Sequence, residues 1–200
     1  SMNKKAYKNL DESIASFQYL KEESEKYWEE IDLETLWGFQ IQSGSKWKKG
    51  LLESELADFQ QQLQIEFPLS LKNFYRTMNG LTLPGINNNG NEGPITYGPK
   101  FYSYPEDIII IKEQINWVLE ENNLTRAVLK SQNIPQIFPF FGHRFLILDD
   151  DEFVLSMYGN DIIFWDDNLA KGIAKDIFDL NPAISMNDFE KKSFWYRKIF

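Results

Sequence analysis

The sequence of 200 residues contains no cysteine and a single histidine. The absence of cysteine excludes disulfides, thiolate metal ligands and a thiol nucleophile. A chain without thiols fits a reducing compartment, so we expect a cytoplasmic protein. The length is sufficient to bury one sizeable core, and we expect one domain with added segments.

Long apolar runs are absent as well. The longest aliphatic run extends from Ile108 to Ile111, far short of the ~18 apolar residues that a transmembrane helix needs. We therefore expect a soluble protein that does not associate with membranes.

Basic residues are in the minority. The 21 Lys and Arg residues oppose 30 Asp and Glu residues, and the net charge is -9. Repulsion from phosphates opposes nucleic-acid binding unless basic residues cluster locally. The basic groups at 46–49 and 191–198 are both flanked by carboxylates. The charge thus argues against a nucleic-acid partner and favours a basic protein partner.

Common catalytic motifs are missing from the sequence. It contains no P-loop, no glycine-rich dinucleotide fingerprint, no nucleophile elbow and no HExxH motif. His143 has no second histidine to complete a metal site and no announced serine partner, so we interpret it as structural. We expect neither enzymatic activity nor a cofactor.

An acidic run at Asp149, Asp150, Asp151 and Glu152 raises the question of a metal site, because hard cations bind several oxygen ligands. The run lacks the alternating spacing of a calcium-binding loop. We interpret it as a solvated hairpin turn without a bound metal. By the same reasoning, 166–167 is interpreted as a helix start.

Apolar residues at three- and four-residue spacing predict helices in the first half of the chain. A helix over about 4–30, treated as an N-terminal extension, is predicted from Tyr7, Leu10, Ile14 and Phe17. Glycines interrupt the period over 37–51, which predicts a loop or a short strand. The period returns in a second amphipathic helix, with the stripe Leu52, Leu56, Phe59 and Leu63.

Pro68 ends this helix and precedes another. The buried stripe of the new helix is Leu71, Phe74, Tyr75 and Met78. Asn79-Gly80 is predicted to end it, with glycine adopting positive φ after the cap.

The stretch 83–100 is dense in Gly, Asn and Pro, which predicts a long surface loop, either a tolerated insertion or a binding loop. Pro105-Glu106-Asp107 then has the composition of a helix start. Four consecutive isoleucines also favour a strand, but the helical period persists to Asn122, so we predict a helix.

Short β-branched and aromatic runs follow, each closed by turn residues: IFPFFG, RFLILD, EFVLSMYG and DIIFWD. They predict strands, those near 144–149, 152–158 and 161–165 pairing antiparallel through hairpins. A helix is predicted over about 167–178. Beyond Pro182, Ser185 and Asp188 suggest a docked C-terminal helix, whose aromatic residues form either core or an interaction patch.

Two segments carry the pattern of a known family: LLESELADFQQQLQIEFPLSLKNFYRTMNG at 51–80, and IFPFFGHRFLILDDDEFVLSMYGNDIIFWDDNLAKGI at 137–173. Their order resembles the SMI1/KNR4 family, or SUKH superfamily: an acidic amphipathic helix, a proline, a second helix ending in Asn-Gly, strands ending near a tryptophan, and a closing helix. Matching positions are Glu55, Phe59, Pro68, Leu71, Phe74, Tyr75, Asn79, Gly80 and Trp165.

The resemblance implies an α+β fold in which helices pack around a central, mainly antiparallel sheet. We divide the chain into an N-terminal helical extension (1–36), an SMI1/KNR4-like domain (37–178) and a C-terminal helical extension (179–200). The resemblance also implies no shared catalytic residues. In bacteria it implies an immunity protein against a polymorphic toxin, often a nuclease or deaminase, and in fungi a signalling scaffold.

Our first hypothesis is therefore an immunity protein that binds a basic toxin domain as a monomer or weak homodimer. The expected partner-binding residues are acidic: Asp149, Asp150, Asp151, Glu152, Asp161, Asp166 and Asp167. A second hypothesis is a regulatory scaffold that binds partners through the 83–100 loop and the aromatic tail. A third is a metal-dependent hydrolase that combines the acidic turns with His143.

Overall fold

The computed structural model describes residues 2–30, 40–87, 100–178, 180 and 194–199. Its helices surround antiparallel strands, which confirms the predicted α+β fold. The helices are α1 (Lys4–Lys8), α2 (Ile14–Glu30), α3 (Glu53–Leu63), α4 (Leu69–Thr77), α5 (Ile108–Glu121), α6 (Arg126–Ser131) and α7 (Leu169–Phe178).

The described strands form one four-stranded sheet and two short two-stranded pairs. The strands are β1 (Gln40–Ile41), β2 (Trp47–Lys49), β3 (Met78–Leu81), β4 (Ile86–Asn87), β5 (Gln136–Phe141), β6 (Arg144–Leu148), β7 (Val154–Tyr158) and β8 (Asp161–Asp166). β1 pairs with β4, β2 pairs with β3, and the larger sheet has the order β5-β6-β7-β8.

The larger sheet confirms the predicted antiparallel meander. The register places Leu146 opposite Val154, and Val154 opposite Asp166. The observed strands begin or end within two residues of the predicted ones. Since hairpins connect neighbouring strands, the β6–β7 turn lies at one end of the sheet, and the β5–β6 and β7–β8 turns lie at the other.

The predicted N-terminal helix over 4–30 is wrong as a single element, because the chain breaks between α1 and α2. Ser13 caps α2: its hydroxyl accepts a hydrogen bond from the Ser16 amide at 3.2 Å. Ile14 is 52% exposed and lies outside the buried stripe. The stripe of α2 consists instead of Phe17, Leu20, Ser24 and Trp28.

The two helices predicted around Pro68 are confirmed as α3 and α4, but the predicted glycine cap is not. α4 ends at Thr77, and Met78 already has extended backbone. Gly80 does adopt positive φ (+74°), but within β3. A Cβ at Gly80 would lie 2.7 Å from Ser103 Cβ, so close approach of two segments requires this glycine.

The isoleucine run forms helix α5, as its period predicts. The following short helix α6 is not among the predicted elements. Thr125 caps it by accepting a hydrogen bond from the Val128 amide at 3.2 Å.

The glycine-rich stretch over 37–51 contains β1 and β2, so its interpretation as loop or short strand is confirmed for the described residues. The predicted 83–100 loop includes β4, whose Ile86 pairs with Ile41. Residues 88–99 lie outside the described residues.

The predicted closing helix is confirmed as α7, with Leu169, Ile173, Ile177 and Phe178 buried. Of the aromatic tail, Trp195, Tyr196 and Ile199 are buried and belong to the same hydrophobic core as Phe17 and Trp28 near the N-terminus. The helix signal at 185–188 lies outside the described residues.

Among the described residues, no helix combines the length and the apolar composition that crossing a lipid bilayer requires.

A buried hydrogen bond between the Tyr7 hydroxyl and the Asp166 carboxylate attaches α1 to the end of β8. Tyr7→Phe should lower the free energy of unfolding by about 1–3 kcal/mol, because the buried carboxylate loses a donor. Tyr19→Phe is the control, since the Tyr19 hydroxyl makes no hydrogen bond within the described residues. Urea denaturation of both variants tests the expectation, and equal stabilities would contradict it.

Gly80→Ala should destabilise the protein more than Gly44→Ala. Both glycines have positive φ, +74° and +76°, so both substitutions incur a strain of about 1–2 kcal/mol. A Cβ at Gly80 would overlap the Ser103 side chain, whereas no atom lies within 4 Å of a Cβ at Gly44. The overlap should add about 1–3 kcal/mol for Gly80→Ala, measured as the difference between the two unfolding free energies.

Candidate partner-binding site

The predicted acidic residues in the second half of the chain lie at two opposite ends of the larger sheet. The β6–β7 turn and the end of β8 meet at one end, which we call the acidic end, because Val154 pairs with Asp166. Asp161 starts β8 opposite Tyr158 and therefore lies at the other end, which we call the His143 end. The predicted partner-binding carboxylates do not form one group.

Asp149 closes the β6–β7 turn from inside. Its Oδ1 accepts hydrogen bonds from the amides of Asp151 at 3.1 Å and Glu152 at 2.9 Å. The Tyr196 hydroxyl donates to both carboxylate oxygens at 2.8–2.9 Å. Burial raises the pKa of Asp149 despite these hydrogen bonds. Asp149 therefore holds the turn and the C-terminal segment together.

Glu152 faces the start of α4. The Ser70 hydroxyl donates to its carboxylate at 2.6 Å, and the residue has a φ of +52° that completes the turn. Burial raises the pKa of Glu152, and the charges of Glu12 and Asp149 raise it further against the effect of the Ser70 hydrogen bond.

Asp166 is 1% exposed, so its carboxylate is not on the surface where partner binding would require it. It accepts hydrogen bonds from the Tyr7 hydroxyl and from the Asp167 amide. Burial raises the pKa of Asp166. Asp167 is exposed and lies 3.3 Å from the Lys171 ammonium.

Asp150 and Asp151 are exposed, and their carboxylates form no ion pair with any described residue. They line a cleft of about 330 Å³ at the acidic end. We call this the acidic cleft; it is lined by Asp11, Glu12, Ser70, Asp150, Asp151, Glu152, Asn168, Leu169 and Ala170. No Lys or Arg is among these residues, so the cleft concentrates negative charge.

Asp11 and Glu12 of the cleft were not predicted from the sequence. They lie in the break between α1 and α2, where Asp11 accepts hydrogen bonds from the Ser13 amide and the Ser16 hydroxyl at 2.9 Å. These hydrogen bonds lower the pKa of Asp11. The N-cap signal of Ser13 indicates the break, but the apolar period across it obscures that signal.

The structure separates two groups that the hydrolase hypothesis combines, His143 and the acidic turn at 149–152. Strand β6 separates His143 from Asp149, and six residues of extended chain span roughly 20 Å. Within the described ranges, no three His, Asp or Glu side chains are grouped to hold a metal ion.

The scaffold hypothesis places partners on the aromatic tail and the 83–100 loop. Trp195 and Tyr196 are fully buried, with Trp195 Nε1 donating to the Pro135 carbonyl at 2.8 Å. Trp195 and Tyr196 are therefore core, which is one of the two alternatives, and Phe194 packs against the core while partly buried. Most of the loop lies outside the described residues.

The fold defines an α+β protein in which helices flank an antiparallel meander and surface clefts occupy its ends. The chain belongs to the SMI1 / KNR4 family (SUKH-1), which matches residues 50–180. This match confirms the resemblance found in 51–80 and 137–173. It begins just before α3 and ends just after α7, so α1 and α2 precede it. No curated protein matches the chain.

The unfolding free energy of Glu152→Gln, relative to that of the wild type, should increase as pH rises from 4 to 7. The folded-state pKa of Glu152 lies above its ordinary value of 4.5. Its contribution to stability is therefore complete below 4.5 and is lost as pH rises through the folded-state pKa. Glutamine keeps an acceptor for Ser70 and does not titrate.

Glu53→Gln is a control for which the opposite pH dependence of stability is expected. A hydrogen bond from Arg76 lowers the pKa of Glu53, so its contribution is present above the ordinary value and is lost as pH falls. This variant should become less stable relative to the wild type between pH 4 and 7. Unfolding free energies of both variants and the wild type at pH 4 and pH 7 measure the two trends. If both variants change in the same direction relative to the wild type, the opposite pKa shifts assigned to Glu152 and Glu53 are wrong.

Proposed function

We propose that this protein is an immunity protein that neutralises a cognate polymorphic toxin domain, of nuclease or deaminase type, by stoichiometric binding in the cytoplasm. Membership in the SMI1 / KNR4 family supports the proposal, because that family implies binding rather than catalysis and, in bacteria, immunity against toxins. In this proposal the chain itself catalyses no reaction and needs no cofactor.

The proposal of a basic partner rests on one observation, the acidic cleft. Carboxylates from the α1–α2 break and the β6–β7 turn line it, without a basic side chain among them. A nuclease or deaminase domain holds a polyanion and therefore presents a basic groove. Complementary potentials raise the association rate and suppress wrong partners.

The exposed carboxylates of the predicted partner-binding set differ in their position relative to the acidic cleft. Asp150 and Asp151 line the cleft and are the proposed contact residues. Asp167 lies near its rim but is paired with Lys171. Asp161 is at the His143 end and is not among the residues that line the cleft.

Asp149 and Asp166 are not among the residues that line the cleft, whereas Glu152 lines it and is partly buried. The carboxylates of Asp149, Glu152 and Asp166 accept hydrogen bonds from Tyr196, Ser70 and Tyr7, respectively. They shape the surface that carries Asp150 and Asp151, and their substitution would alter folding and binding together. Variants of Asp150 and Asp151 report on binding alone.

The double variant Asp150→Asn/Asp151→Asn should weaken binding of the cognate toxin domain by roughly 2- to 30-fold, since each exposed ion pair contributes about 0.2–1 kcal/mol. The loss should be largest in the association rate and should shrink at high salt. Surface plasmon resonance at two salt concentrations measures both quantities.

The matched control is Glu121→Gln/Asp161→Asn, which removes the same charge at the His143 end, where Glu121 lies beside the β7–β8 turn. It should bind as the wild type does. Equal losses in both double variants would show that net charge, and not the cleft, drives association. If the wild type neither protects cells from the toxin nor forms a complex in gel filtration, the proposed function is wrong.

A further inference from the structure

A second cavity, of about 210 Å³, lies at the His143 end of the sheet. We call it the Arg144 pocket; it is lined by Ile41, Ile86, Phe101, Phe141, Gly142, His143, Arg144 and Asp176. Its apolar wall consists of the two isoleucines and the two phenylalanines, whose ring centroids lie 4.3 Å apart. Pockets for drug-sized ligands measure ~300–1,000 Å³, so this cavity suits a smaller molecule.

Arg144 is held on two sides and on one face. Its Nε donates to both carboxylate oxygens of Asp176 at 3.2 Å, and its Nη1 donates to Ser156 Oγ at 2.7 Å. The guanidinium carbon lies 3.4 Å from the centroid of the Trp165 ring. Within the described chain, Nη2 makes no hydrogen bond. A rigid guanidinium thus keeps one donor group for a ligand.

His143, the neighbour of Arg144 in the chain, also lines the cavity. Its Nδ1 is buried and has no hydrogen-bond partner among the described residues. The imidazole is fixed by edge contact with the Tyr158 ring, at 4.7 Å between centroids.

Two cations and two carboxylates lie at or near the pocket, so an anion would be selected by the unpaired Arg144 donor and not by net charge. The Lys175 ammonium lies 4.1 Å from the centroid of the same Trp165 ring that Arg144 covers. Asp176 is the carboxylate that pairs with Arg144. Asp166 also acts on Lys175, but its carboxylate is engaged by the Tyr7 hydroxyl. A charged acceptor at Nη2 forms a stronger hydrogen bond than a neutral one.

We propose that the Arg144 pocket binds a small carboxylate with a planar, apolar body. The carboxylate accepts a hydrogen bond from Arg144 Nη2, the guanidinium donor group without a partner among the described residues. The body contacts the apolar wall between Ile41 and Phe141. This site lies at the opposite end of the sheet from the acidic cleft and does not depend on the proposed function.

Phenylacetate and phenylacetamide are matched probes of this proposal, because they share a body and differ in charge. Calorimetric titration of the full chain should show one phenylacetate per chain and an amide affinity at least about 10-fold lower. Methyl NMR should shift the Ile41 and Ile86 signals with phenylacetate.

Arg144→Gln should weaken phenylacetate binding at least about 10-fold, since it removes the charged donor. Arg76→Gln is its control: Arg76 is ion-paired with Glu53 at 2.7 Å and is not among the residues that line the pocket. It should leave the affinity unchanged. The comparison of acid with amide uses the wild-type chain and stands whether or not Arg144→Gln folds.

Three results would overturn the proposal. Equal affinities for the acid and the amide would show that the cavity does not select an anion. Binding of neither probe at millimolar concentrations would show that it does not accept a ligand of this class. Phenylacetate shifts confined to residues outside the pocket would place any binding elsewhere.

Discussion

The aromatic cluster around Phe59 is the contact on which the α+β arrangement depends. The Phe59 ring, on α3, is fully buried and stacks on Tyr104 at 4.5 Å. It also meets Phe67, Tyr75 and Phe138 edge-on, at centroid distances of 5.1–5.8 Å. Aromatic pairs contribute about 0.5–1.5 kcal/mol each beyond their buried area. One side chain thus joins α3, α4, the segment before α5 and the sheet.

Elements with local signals could be predicted from the sequence. Helix α3 follows from the spacing of Leu56, Phe59 and Leu63, and the meander follows from β-branched runs closed by turn residues. The break before α2 was missed because the apolar period of Tyr7, Leu10, Ile14 and Phe17 continues across it.

Long-range contacts explain the remaining errors. Gly80 was assigned to a helix end by its local sequence, but its neighbour Ser103 is remote in the chain. In the same way, the Asp166 carboxylate is buried because Tyr7, 159 positions away, donates to it. No local pattern distinguishes such an aspartate from an exposed one, which is why the predicted site mixed buried and exposed carboxylates.

Adjacent residues of the acidic turn have different structural roles. Asp149 points inward, where it holds the turn amides and Tyr196, whereas Asp150 and Asp151 face solvent. Exposed positions without internal contacts tolerate substitution with little change in stability. Because the neighbouring Asp149 keeps the backbone in place, positions 150 and 151 are free to diversify. The turn therefore allows the exposed surface at positions 150 and 151 to change in evolution while the scaffold stays the same.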